Sequence, residues 1–119
     1  MQENHHTIKF ENGIAYVKIV GSGDENVARQ FVSDTEKIFE DNPNVTINAL
    51  VDMLDSGFSN YEGIKVYRNF LKTDRLGKIA FVLNNEVIEA FVKLACTDRE
   101  KETKYFHNAE DAKEWLEIK

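Results

Sequence analysis

The sequence predicts an α/β fold on a mixed five-stranded sheet with about four helices, in the order β-β-α-β-α-β-α-β-α. Two observations carry this. Asn12-Gly13 stands between two apolar runs, a strong short-range hairpin signal. Beyond it, short apolar runs alternate with segments whose apolar residues recur at helical spacing. That alternation is the signature of parallel strands joined by right-handed crossovers, leaving the first hairpin strand antiparallel at one edge.

Thr7 to Phe10 and Ile14 to Val20 read as the hairpin strands, and Gly21-Ser22-Gly23 ends the second. From Asp24 to about Asp41, Val27, Phe31, Val32, Thr35, Ile38 and Phe39 mark the buried stripe of an amphipathic helix with an acidic outer face. Pro43, the only proline, lies in a turn signal rather than a linker. Thr46 to Met53 is the third strand. Ser59-Asn60-Tyr61-Glu62 has the form of a capping box, opening a helix that should reach Lys72 or Thr73. Gly77 closes the next turn, and Lys78 to Leu83 is nearly all apolar, as a central strand covered on both faces should be. Glu86 to about Thr97 is a third helix, apolar around much of its girth. Thr103 to Phe106 is the last strand, and Asn108 caps a final helix with Ala112, Trp115 and Leu116 turned inward.

The chain of 119 residues reads as one domain over 1–119 with enough apolar content, 42%, for a core of its own. One cysteine, Cys96, gives no intrachain disulfide and suits a reducing compartment. No stretch has the apolar length of a signal peptide or a membrane span, so the expected location is the cytoplasm. The net charge of −6 is uneven. Residues 1–59 carry 4 basic and 10 acidic side chains, residues 60–78 carry 5 and 2, and residues 79–119 carry 6 and 9. An acidic protein lacks the clustered cations that nucleic acid demands.

Three stretches, NGIAYVKIVG, ALVDM and KYFHNAEDAKEWL, resemble the STAS domain, and more closely its SpoIIAA-like branch, related in shape to the lipid-binding CRAL-TRIO type. The most telling is the last, a strand ending in an aromatic followed by a helix with Ala-x-x-Trp-Leu. The resemblance implies a non-enzymatic module of anti-sigma factor antagonist type. In signalling members a partner kinase phosphorylates a serine at the start of the second helix. An ungapped count from Asp52 sets Glu62 in that serine's place, with Gly63 and Ile64 matching the Gly-Leu pair that follows it. A gapped alignment would restore Ser56 instead. The switch-loop candidates are therefore Asp52, Asp55, Ser56, Ser59 and Glu62. On their own chemistry Ser56 reads as a turn residue, Ser59 as a cap, and Asp52 and Asp55 as loop-ordering carboxylates.

Other chemistry finds little support. Cys96 lies near Asp98 and Glu100, which should raise its thiol pKa, and it has no base to activate it. His5, His6 and His107 lack zinc-ligand spacing, and the first two fall in what reads as a mobile terminus. Asp24 and Glu25 would repel a phosphate from the helix that follows Gly21-Ser22-Gly23. No metal or cofactor is expected. The basic island stands out instead. Lys65, Arg68 and Lys72 fall at i, i+3 and i+7 of the second helix, with Arg75 just beyond. The bland reading is a solvated helix face; the functional one is a surface for an acidic partner or an anionic headgroup. The expectation is a protein-interaction module lacking the serine switch and docking a protein partner through the second helix, alone or as a homodimer. The alternative is a carrier of a small apolar or lipid-like ligand.

Overall fold

A computed structural model describes residues 5–21, 24–57, 61–97, 99 and 102–117. Its elements are β1 (His5–Glu11), β2 (Ile14–Val20), α1 (Glu25–Asp41), β3 (Ile47–Asp52), α2 (Tyr61–Phe70), β4 (Leu76–Val82), α3 (Glu86–Ala95), β5 (Thr103–Phe106) and α4 (Ala109–Glu117). The strands lie in sequence order, β1-β2-β3-β4-β5. The β1–β2 pair is antiparallel and the other three pairings are parallel. This is the predicted mixed sheet and element order.

The Asn12-Gly13 hairpin closes with both residues at positive φ, 54° and 81°, and with Glu11 opposite Ile14. Two central residues at positive φ make the turn whose twist matches the strands it joins. Because β2 to β5 run parallel in spatial order, each right-handed crossover puts its helix on the same side. The core records this. Val17, Val51 and Phe81 face Phe31 of α1, Tyr67 and Phe70 of α2, and Ile88 and Val92 of α3. On the opposite side Ile14, Leu50, Ala80 and Val82 meet Ala112 and Leu116 of α4 alone. The central strand β4 is buried from both sides, as its apolar run implied.

Two local expectations are corrected. Gly77 does not close a turn; it lies inside β4. The β3–β4 register slips between Ile47 and Ala49, and the Asn48 side chain occupies that irregularity, accepting from Lys78 N–H at 2.9 Å. A Cβ on residue 77 would fall 2.4 Å from Asn48 Oδ1 and push that side chain off the Lys78 N–H, so the close approach favours glycine. His5 and His6 are not in a loose terminus either. They extend β1 opposite Val20 and Ile19, because the hairpin pairs along the full length of β2. The His6 side chain is only 6% exposed, 2.9 Å from Asp34 Oδ2 on α1 and edge-on to Phe31. The predicted Ser59 cap lies outside the described residues.

Candidate functional site

The residues singled out from the sequence fall into two neighbouring groups, one at the carboxyl edge of the sheet and one on α2. At the carboxyl edge, β3 ends at Asp52, whose carboxylate accepts the Leu54 N–H at 3.0 Å and so folds the following turn. Asp55 Oδ2 lies 3.5 Å from Lys18 Nζ. Ser56 N–H donates to Met53 O at 3.1 Å, and its backbone pairs with Gly21 beyond the end of β2. Ser56 Oγ donates to Gly57 O at 3.1 Å and is half-buried. Asp52, Asp55 and Ser56 thus form one built turn, anchored to β2 by Gly21 N–H donating to Asp55 O at 3.0 Å and Gly57 N–H donating to Gly21 O at 2.8 Å.

Glu62 belongs to the first turn of α2, where a carboxylate suits the helix dipole. Its Oε2 is 3.9 Å from Lys65 Nζ. That ammonium also sits 5.2 Å from the ring centre of Tyr61, a side chain that is 70% exposed. Tyr61, Lys65 and Lys72 are exposed and Arg68 is half-buried. The α-helix itself ends at Phe70. Lys72 and Thr73 N–H donate to Asn69 O and Phe70 O, three residues back, so Lys72 continues the stripe on a tighter turn.

Arg75, grouped with these cations on sequence, is employed elsewhere. Its guanidinium donates to Phe39 O, Asn42 O and Val45 O at 3.1, 2.6 and 3.1 Å and lies 5.0 Å from the Phe39 ring centre. It closes the carboxyl end of α1, where helix carbonyls have no partners of their own. Cys96 follows α3, and burial pushes its thiol up to about 11; Asp98 and Glu100, invoked from sequence, lie outside the described residues.

What the sequence did not announce is space inside the core. Beneath α2, between the sheet and the three helices, lies a cavity of about 80 Å³ whose walls include Val17, Phe81, Phe31, Ile64, Tyr67 and Val92. Tyr67 packs edge-on to Phe31, and its hydroxyl is buried with no hydrogen-bond partner among the described residues. Desolvation, with Asp24 nearby, pushes this phenol up to about 12. Apolar spacing could mark Tyr67 as a core position, but only the packed fold isolates its hydroxyl. Among the described residues no three His, Cys, Asp or Glu side chains gather to hold a metal, and no helix is long and apolar enough to cross a membrane.

Comparison with known proteins places these features in context. The SpoIIAA-like family matches the chain over residues 14–117. An uncharacterised protein with a SpoIIAA-like fold from Shewanella loihica PV-4 is similar at 18% identity, over 98% of this chain and 97% of that one, with a TM-score of 0.78. An anti-sigma factor antagonist from Mycobacterium paratuberculosis shares 12% identity over 98% and 96%, with a TM-score of 0.67. The unphosphorylated form of the anti-sigma factor antagonist SpoIIAA shares 9% over 93% and 96%, also with a TM-score of 0.67. No curated protein sequence matches the chain.

Proposed function

The chain belongs to the SpoIIAA-like family, and on that premise we propose that it is a non-enzymatic protein-interaction module that docks an acidic partner through α2. The observation that carries the reading is Tyr61, 70% exposed and stacked with Lys65 at the head of a stripe continued by Arg68 and Lys72. An exposed aromatic flanked by cations is the composition of an interface hot spot, and on a chain of net charge −6 a basic stripe selects acidic partners. Two similar structures are named anti-sigma factor antagonists, proteins that by name act on another protein. Arg75, spent on α1, is left out of this surface.

In this reading the serine switch is absent. Glu62 supplies a permanent charge at the start of α2, and Ser56, tied to Gly21 and Gly57, is a turn residue. The test is affinity capture from the host's lysate with the native protein and with Lys65→Glu/Arg68→Glu/Lys72→Glu. A partner held by the native protein should be lost by the triple variant while the circular dichroism spectrum is unchanged. Equal retention of that partner would remove α2 as the docking surface, and capture of the chain's own copies alone would make the module a homodimer. A second reading, a carrier of a small apolar ligand, draws on the cavity beneath α2.

A further inference from the structure

We infer that the cavity beneath α2 is a binding site for a small, neutral, mostly apolar molecule bearing one carbonyl oxygen, which accepts a hydrogen bond from the Tyr67 hydroxyl. The inference rests on the carrier reading and not on the docking surface of α2. Its first support is the contrast between the walls and the phenol. Among the described residues around the cavity the side chains are almost all hydrocarbon, and those with a hydroxyl other than Tyr67 already donate elsewhere: Thr35 Oγ1 to Phe31 O at 2.8 Å, and Ser56 Oγ to Gly57 O at 3.1 Å. A buried hydroxyl with no partner is costly, and native structures rarely keep one without a reason. Tyr67 is held where it stands by its edge-on contact with Phe31.

The chemistry of the occupant follows from what the walls offer. Among the described lining residues, Tyr67 offers the one hydroxyl donor that has no acceptor. A carbonyl oxygen needs only one, and its hydrocarbon remainder suits the rest of the lining. An anion does not fit. Among the described residues no lysine or arginine lines the space, and Asp24 already bears electrostatically on Tyr67. Size sets the remaining limit. An engineered cavity of about 150 Å³ accommodates benzene, so the roughly 80 Å³ here points to a short-chain or small-ring ketone, ester or amide rather than a long acyl chain. The cavity also reaches Met53, Ser56 and Gly57, placing one end at the built turn beyond the carboxyl end of β3.

The experiment is a methyl-NMR titration of the full chain with acetone and, separately, with its hydrocarbon isostere isobutane, following Ile64 and Val92. It is repeated on Tyr67→Phe, which loses only the unpartnered oxygen and should fold normally. The expected result is saturable shifts at both methyl positions, with ketone affinity about fivefold weaker in Tyr67→Phe, the worth of one buried hydrogen bond. Isobutane affinity should be unchanged by the substitution. If both probes bind and neither responds to Tyr67→Phe, the carbonyl assignment is overturned while the carrier reading survives. If neither probe moves the lining methyls, both fall together.

Discussion

At the scale of single residues, His6 and Asp34 show how a side chain that looks incidental can become structural. The His6 ring is tucked against Phe31, and its hydrogen bond is the main cause holding the Asp34 carboxyl below its ordinary value of 3.8. A depressed carboxyl pKa adds stability that is complete above the unfolded-state value and is lost as pH falls through the folded-state value. Asp34→Asn should therefore flatten the acid arm of the stability profile below about pH 5, where Asp34 begins to take up its proton in the unfolded chain. Asp34 is partly exposed, so the difference should stay under about 1 kcal/mol. Urea midpoints of both proteins from neutral pH into acid would check this, and parallel profiles would show that the pair contributes nothing. The histidine could be read in the sequence; its partner 28 residues away could not, because nothing local ties β1 to α1.

At the scale of elements, the same limit separates what periodicity reveals from what packing decides. The Asn12-Gly13 hairpin, the α1 stripe and the apolar β4 run were legible because each is written in consecutive residues obeying one period. Gly77 was misread because a glycine between a helix and a strand looks like a turn, while its actual constraint is the Asn48 side chain on the neighbouring strand. Arg75 was misread for a related reason. Its sequence neighbours are cations, but its hydrogen-bond partners are carbonyls 30 to 36 residues away. Arg75→Ala should strip three hydrogen bonds from the end of α1 and the turn after it, leaving only those of Asn42 to Phe39 O and Ile38 O, and cost about 1 to 2 kcal/mol for a half-buried charged donor. Arg75→Lys should recover little, since an ammonium lacks the planar fork that reaches several carbonyls at once. Denaturant unfolding measures both. A loss below about 0.5 kcal/mol for the alanine variant would match an ordinary surface change and contradict the capping role.

At the scale of the whole molecule, the fold sets a division of labour. Three helices share one face of the sheet and α4 covers the other, so α2 lies packed between α1 and α3 with its outer stripe turned to solvent and its inner side over the cavity. The outer stripe was visible in the sequence as a basic island. The cavity was not, because residue spacing marks apolar positions without saying whether they fill the space between them. A void of about 80 Å³ costs on the order of 2 kcal/mol, a cost that ligand binding would offset. Both proposed activities therefore converge on α2 from opposite sides. The most direct test of the docking role is in-cell photo-crosslinking from two exposed positions, Asn69 between Lys65 and Lys72, and Lys113 on α4 across the sheet. The account predicts a discrete crosslink to an acidic protein from position 69 and none from 113. The same crosslink from both positions, or none from 69, would contradict it.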